Sequence, residues 1–192
     1  APFFVHGSHD RDAVPAGRIG LEINAGEAFG TGHHETTTGC LHMMVRHLKQ
    51  LTPRNPADIG CGTGVLAIAL ARLTRQPVLA SDIDPIAVRT TLANARANRV
   101  GSLVNTVTAT GFAHNLIRQK APFDLILANI LADPLRRLAP DFRQHLNSGG
   151  YLILSGLLKE QEKAVATAMR LQGFFMIDRL TIGEWTTLRF QG

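Results

Sequence analysis

The sequence has few cysteines and no long apolar segment. Its two cysteines, Cys40 and Cys61, are too few for a disulfide framework, and no Cys-x-x-Cys pair indicates structural zinc. The longest strongly apolar run, residues 65–71, is far shorter than the roughly 20 residues that span a bilayer. The N-terminal segment does not have the pattern of a secretion signal, which is a basic start followed by an apolar stretch and a cleavage site. We therefore expect a cytoplasmic protein without a membrane partner or a bound metal.

Charge of either sign is moderate. The 192 residues include 20 Lys and Arg against 15 Asp and Glu, a formal net charge of +5, and 45% are hydrophobic. This composition excludes disorder, and the length fits one globular domain. The basic excess lies in residues 85–150, with eight basic and three acidic side chains spaced along predicted helices. These side chains form either solvated helix faces or a surface for an anionic partner such as RNA.

From residue 51 onward, short apolar strands alternate with longer helical patterns. Strands are predicted at 56–59, 77–81, 103–108, 124–128 and 151–155, and helices at 65–75, 85–98, 134–146 and 159–172. Asp84 before Pro85, and Asp133 before Pro134, have the pattern of a helix N-cap followed by proline. The alternation predicts an open α/β fold with a mostly parallel sheet. Two final strand-like runs, 174–179 and 184–190, predict a C-terminal antiparallel hairpin joined to it.

The first 36 residues lack this alternation. They are rich in glycine, show little periodicity, and lead into a helix that Thr36 or Thr37 can cap. Long ordered loops are frequently linkers or binding loops. We therefore divide the chain into a linker with a glycine-rich loop, residues 1–36, and an α/β domain, residues 37–192.

The sharpest motif is the sequence DIGCGTG at residues 58–64, between the first predicted strand of the domain and its helix. Glycines there permit a tight turn and a close approach of a ligand to the backbone. A dinucleotide-binding turn has the spacing G-x-G-x-x-G, whereas this turn is G-x-G-x-G and follows Asp58. A carboxylate at that point repels a pyrophosphate and suits a positively charged ligand such as S-adenosyl-L-methionine. The alternative is a tight connection that binds nothing.

Two polar residues end other predicted strands. Asp82 lies 22 residues after Gly60, where a carboxylate can accept both hydroxyls of a ribose, while Asp84 caps the next helix. Asn129 ends the fourth strand, and its amide can orient a nucleophile or serve as a loop cap. No aromatic ring follows Asn129 to stack on a base, which argues against a nucleobase substrate.

Several motifs occur together in the order of one known family. They are AFGTGHHETT at 28–37, the glycine turn, DIDP at 82–85, NILA at 129–132, SG at 155–156 and EW at 184–185. Over nearly the whole chain they resemble the bacterial ribosomal protein L11 methyltransferases. The glycine turn and Asp82 are common to many methyltransferases, whereas FGTGHHETT and NILA narrow the resemblance to this family.

The resemblance implies an S-adenosyl-L-methionine-dependent enzyme on a seven-stranded Rossmann-like sheet. Its implied substrates are lysine side chains and the N-terminal amine of ribosomal protein L11. It implies that Thr37, Gly60, Asp82 and Asn129 contact the cofactor and that Asn129 lies near the incoming amine. It also implies that the loop from Phe29 to Thr37 folds over the cofactor. Asp58 and Gly62 of the turn complete the predicted cofactor site. The family also has an N-terminal substrate-recognition domain, and we expect this chain to begin within or just after the linker that follows it.

Other interpretations stay open on the sequence alone. The second enzyme hypothesis is an RNA methyltransferase; if the substrate is a protein, contact with RNA is secondary. The non-enzyme hypothesis is a domain that binds the cofactor without transferring its methyl group. A metal site at His33, His34 and Glu35 lacks a further well-spaced ligand. No dedicated base is evident, so we expect Asn129 to orient the amine while solvent takes its proton.

Overall fold

The computed structural model describes residues 2–24 and 34–192. Within them, the strands are β1 (Phe3–His6), β2 (Ile19–Glu22), β3 (Pro56–Ile59), β4 (Val78–Asp82), β5 (Val104–Thr108), β6 (Phe123–Asn129), β7 (Leu146–Leu158), β8 (Phe175–Ile182) and β9 (Trp185–Gln191). The α-helices are α1 (His34–Leu48), α2 (Val65–Thr74), α3 (Pro85–Ala97), α4 (Asn115–Lys120), α5 (Ala132–Arg137), α6 (Ala139–His145) and α7 (Glu162–Leu171). None of the helices described is long and apolar enough to cross a bilayer.

A seven-stranded sheet with the order β5-β4-β3-β6-β7-β9-β8 forms the centre of the molecule. Strands β3 to β7 pair in parallel, and β9 is antiparallel to both β7 and β8. The predicted α/β fold, with its mostly parallel sheet and C-terminal antiparallel hairpin, is confirmed. The chain runs from β3 out to β4 and β5 and then returns to β6, so the strand order reverses between β3 and β6. Ligands of open α/β sheets bind at such a reversal, beyond the carboxyl ends of the strands.

Helices cover both faces of the sheet. One hydrophobic cluster takes helical side chains from α4 to α7: Ile117, Leu135, Phe142 and Val165. The other takes them from α1, α2 and α3: Met44, Ile68 and Ala95. Strand β6 lies between the clusters, and its buried residues from Leu125 to Ala128 alternate from one cluster to the other. A strand buried on both faces is apolar throughout, so Asn129 marks the point where β6 leaves the core.

Most predicted boundaries agree with the structure within about two residues, but three differences are larger. Strand β7 begins at Leu146, well before the predicted residue 151, and the short helix α4 was not predicted. The third difference lies after β6. The helix predicted at 134–146 is two helices, α5 and α6, which meet at Leu138. Pro140, in the first turn of α6, cannot donate a backbone hydrogen bond, which explains the break. Asp133 is not an N-cap, because α5 begins one residue before it; its carboxylate instead pairs with Arg136 at 3.1 Å. Asp84 does cap α3.

Residues 2–24 contain two strands where the sequence predicts only a linker. Strands β1 and β2 form a separate parallel pair, with Phe3 opposite Ile19. Leu21 of β2 is fully buried in the cluster formed with α1 and α2. The segment therefore packs against the α/β domain through β2, and its weak periodicity reflects the small number of residues in each strand.

We expect Gly156→Ala to destabilise the fold more than Gly149→Ala. Both glycines have a positive φ, +86° and +76°, so alanine strains the backbone at either position by about 1–2 kcal/mol. A Cβ at Gly156 would also lie 2.3 Å from the main-chain oxygen of Ile130, whereas nothing lies within 4 Å of one at Gly149. Urea unfolding should show an additional loss of roughly 1–3 kcal/mol for Gly156→Ala. Equal losses would show that the backbone at Ile130 yields freely.

Candidate active site

The glycine turn after β3 is fixed by the two strand ends beside it. Gly60, Gly62 and Gly64 all have positive φ, at 76°, 55° and 83°, which explains three glycines in five residues. The N–H of Gly60 donates to the carbonyl oxygen of Ser81 at 2.8 Å. A Cβ on Gly60 would lie 2.3 Å from Cγ2 of Ile130, which follows β6. Glycine at position 60 is thus required both for the conformation and for this close approach.

Asp82, at the end of β4, faces the turn. One of its carboxylate oxygens accepts from the N–H of Gly62 at 2.8 Å, and the other accepts from the N–H of Asp84 at 3.0 Å. The carboxyl of Asp84 accepts from the N–H of Ile86 at 2.8 Å and so caps α3. A carboxylate oxygen has more than one lone pair. Half-buried Asp82 can therefore accept further hydrogen bonds from a ligand while it holds the turn.

Asn129 lies opposite the first turn of α1. Its Nδ2 is 3.3 Å from Oγ1 of Thr36 and 3.5 Å from Oγ1 of Thr37. Since α1 begins at His34, both threonines lie inside its first turn, and the prediction that one of them caps the helix is wrong. The structure brings Thr37 and Asn129 together, as the predicted site requires. Thr36 was not among the predicted site residues, although its side chain is the nearer of the two to Asn129.

Close packing keeps the first turn of α1 in this place. A Cβ on Gly39 would lie 2.3 Å from Oγ1 of Thr187, so α1 lies directly on β9. The same hydroxyl is 2.9 Å from Oγ of Ser155, and Ser155 is the β7 partner of Asn129 in the sheet. Thr187 of β9, on which α1 packs, is therefore linked by a buried hydrogen bond to Ser155, the strand residue beside Asn129. Sequence reasoning missed Gly39 and Thr187; a glycine within a helical pattern was the one available signal.

Asp58 lies beneath the glycine turn with a side chain that solvent scarcely reaches, since the residue is 1% exposed. Its Oδ2 accepts from the N–H of Ala67 in the first turn of α2 at 3.0 Å, and Oδ1 has no hydrogen-bond partner among the described residues. Burial raises the pKa of Asp58 to about 7, and the nearby charge of Asp82 adds to the rise. The carboxyl thus belongs to the turn but is buried below it.

The remaining residues of interest are those of the glycine-rich loop, the possible metal ligands and Cys61. Phe29, His33 and most of the glycine-rich loop lie outside the described residues. In residues 2–24 and 34–192, no group of three or more His, Cys, Asp and Glu side chains is placed to hold a metal. Cys61 is buried with Sγ 3.3 Å from Oγ1 of Thr91, and burial raises the pKa of its thiol, so it is a side chain of the turn.

Comparison of the sequence finds one family over the full length of the chain. Residues 1–192 match the family model described as Ribosomal protein L11 methyltransferase (PrmA). The ribosomal protein L11 methyltransferase of Mesorhizobium japonicum is 51% identical over 189 residues, which are 98% of this chain and 65% of that protein. That of Brucella suis is 54% identical over 189 residues, 98% of this chain and 66% of that protein. The chain thus spans somewhat less than two thirds of the length of these curated relatives.

Two solved structures resemble the fold. The ribosomal protein L11 methylase of Lactobacillus delbrueckii subsp. bulgaricus superposes with a TM-score of 0.85 at 30% identity, covering 97% of this chain and 92% of that one. An RNA methyltransferase of Salinibacter ruber in complex with S-adenosyl-L-homocysteine gives a TM-score of 0.61 at 18% identity, covering 79% and 88%. The second likeness shows a common fold alone.

We expect Asp58→Asn to change how stability depends on pH. The folded pKa of about 7 exceeds the ordinary value of 3.8, so the folded state holds this proton more tightly and wild-type stability falls as the pH rises between these values. Asparagine keeps the oxygen that accepts from Ala67 but does not titrate. Between about pH 5 and pH 8, the variant should therefore gain roughly 2–3 kcal/mol of unfolding free energy relative to wild type in urea unfolding. A constant difference across this range would contradict a protonatable, buried Asp58.

Proposed function

Because the chain belongs to the ribosomal protein L11 methyltransferase family, we propose that it is an S-adenosyl-L-methionine-dependent protein N-methyltransferase. Its proposed substrates are lysine side chains and the N-terminal amine of ribosomal protein L11. The observation that carries the proposal is the position of Asn129, held at the end of β6 against the first turn of α1 and next to the segment that packs on the glycine turn. We place this activity in the cytoplasm.

The described residues fit S-adenosyl-L-methionine, which supplies an electrophilic methyl group on a sulfonium when bound. Asp82 offers acceptor positions for ribose hydroxyls, and Gly60 and Gly62 place no side chain of their own between the turn and a ligand. Oδ1 of Asp58, which has no hydrogen-bond partner in the described part of the chain, lies beneath the same turn, and the ionised carboxyl attracts a cofactor ammonium. Thr37, in the first turn of α1, can donate to the cofactor carboxylate at the positive end of the helix.

Asn129 is suited to orient the amine. Its Nδ2 donates toward the hydroxyls of Thr36 and Thr37, so Oδ1 is the atom available to accept an N–H from a substrate amine. Acceptance of that hydrogen bond points the nitrogen lone pair away from Asn129 and holds the amine in one orientation. A lysine must lose a proton first, which costs about 4–5 kcal/mol at neutral pH. We assign that proton to solvent.

The surroundings of Asn129 favour an amine over a base. Leu131 is 68% exposed beside it and Ala132 is buried, so neither offers a flat ring on which a nucleobase could stack. The exposed aliphatic side chain of Leu131 can instead pack against the methylene groups of a lysine. RNA contact through the basic residues of 85–150 is secondary in this proposal, and recognition of ribosomal protein L11 is assigned to the N-terminal domain of the family. The division at residue 36, between linker and methyltransferase domain, is part of the same proposal.

We expect Asn129→Ala to reduce methyl transfer to ribosomal protein L11 by about 10- to 100-fold at saturating cofactor, because the amine loses its orienting acceptor. Cofactor affinity, measured by titration calorimetry, should change far less than the rate. Asn115→Ala is the matched control, since Asn115 is exposed on α4 and bonds to Arg118. Full transfer rates in Asn129→Ala would remove Asn129 from the catalytic role.

The substrate class is tested by offering labelled cofactor with ribosomal protein L11 and, separately, with stripped ribosomal RNA. We expect label in the protein, on amines identified by mass spectrometry, and none in the RNA. Label in RNA alone would establish the RNA methyltransferase alternative. Calorimetric binding of the cofactor without product on either substrate would favour a cofactor-binding domain without transfer activity.

A further inference from the structure

Two polar side chains of α3 and that of its C-cap residue are buried on one face of the helix, and we call these three the α3 polar row. Thr91, Asn94 and Asn98 follow one another at spacings of three and four residues, which places them on one side of the helix. They are 0%, 2% and 4% exposed. Buried polar groups are costly unless they are hydrogen-bonded. All three are bonded to the main chain of a different segment, so the row connects α3 to its surroundings.

Asn94 and Asn98 bind the backbone around the end of β2 as a neighbouring strand would. Oδ1 of Asn98 accepts from the N–H of Glu22 at 3.0 Å, and its Nδ2 donates to the carbonyl of Glu22 at 2.7 Å. Asn94 does the same for Asn24, at 3.1 Å and 3.0 Å. Main-chain groups two residues apart face the same edge of a strand. The two side-chain amides therefore fix residues 22–24 on α3 with four hydrogen bonds.

The two asparagines differ in their third hydrogen bond. Nδ2 of Asn94 also donates to the carbonyl of Thr63 in the glycine turn at 2.9 Å. Nδ2 of Asn98 instead donates to the main-chain carbonyl of Asn94, within the same helical segment, at 2.8 Å. Thr91 donates to the neighbouring turn carbonyl, that of Gly62, at 3.0 Å. Within the α3 polar row, Asn94 is thus the residue that contacts both the β2 segment and the glycine turn.

We propose that Asn94 is a positioning residue for the cofactor. The amide of Asn94 bonds to the carbonyl of Thr63 in the glycine turn and to the main chain of Asn24. Gly62, which precedes Thr63, donates to Asp82. The turn is therefore held from both sides. A turn that is ordered before binding does not have to be ordered by the ligand, so affinity rises without a new contact. The inference rests on the proposed function, because it requires that the glycine turn binds S-adenosyl-L-methionine.

Asn94→Ala and Asn98→Ala form a matched pair for the test. Each removes one buried amide and three side-chain hydrogen bonds, and each loosens residues 22–24, but only Asn94→Ala releases the glycine turn. We expect comparable losses in thermal stability. The Kd for S-adenosyl-L-homocysteine by titration calorimetry should rise about tenfold in Asn94→Ala and less than about twofold in Asn98→Ala.

Kinetics and a milder variant complete the experiment. In Asn94→Ala the KM for the cofactor should rise as the Kd does, while kcat and the KM for ribosomal protein L11 stay within about twofold of wild type. Asn94→Ser, whose hydroxyl can donate to one of the two carbonyls, should give an intermediate Kd.

Three outcomes would overturn the inference: an unchanged Kd in Asn94→Ala, an equal rise in both alanine variants, or failure of both Asn94 variants to fold when Asn98→Ala folds. Wild-type chain that binds no S-adenosyl-L-homocysteine would instead refute the proposed function.

Discussion

The contact between Ile130 and two glycines is the constraint on which the site depends. A side chain at Gly60 would strike Cγ2 of Ile130, and a side chain at Gly156 would strike its main-chain oxygen. Because both positions are bare, the chain leaving β6 passes closely over the ends of β3 and β7. That path holds Asn129 at the edge of the sheet, where its amide reaches the first turn of α1. The glycine motif therefore has two roles: its Gly60 packs against Ile130 after β6, and its backbone forms part of the proposed cofactor site.

Sequence reasoning predicted the elements well because their signals are local. The DIGCGTG motif, the Asp84-Pro85 cap and the apolar run of β6 each depend on a few neighbouring residues, and the alternation of strands and helices then predicts a mostly parallel sheet. Sequence reasoning failed after β6, where the Asp133-Pro134 pattern predicted the start of one long helix and Pro140 was not recognised as a break. The strands of residues 3–22 were missed because four residues give no usable period.

The contacts that complete the site could not be predicted, since they join residues distant in the sequence. Gly39 meets Thr187, and Asn94 meets Asn24, only because α1 and α3 pack on the same side of the sheet. From the sequence alone, Asn94 is one polar residue on an amphipathic helix, and a polar residue there is expected to be exposed to solvent. Its burial is evident only when Ala87 and Ala95 are seen to share the covered side of α3. Polar contacts between residues distant in the sequence can be predicted only after the fold is known.

Although the chain has a net positive charge, its proposed cofactor site contains two carboxyls, those of Asp58 and Asp82. A carboxylate near a substrate amine stabilises the ammonium form and so opposes loss of the proton. Asp58 reduces this effect, because burial raises its pKa to about 7 and leaves part of the population uncharged near neutral pH. A cationic ligand over the turn acts in the opposite direction on both groups: it favours ionised Asp58 and lowers the pKa of an amine beside it. Under the proposed function, these charges favour binding of the cofactor before the amine loses its proton.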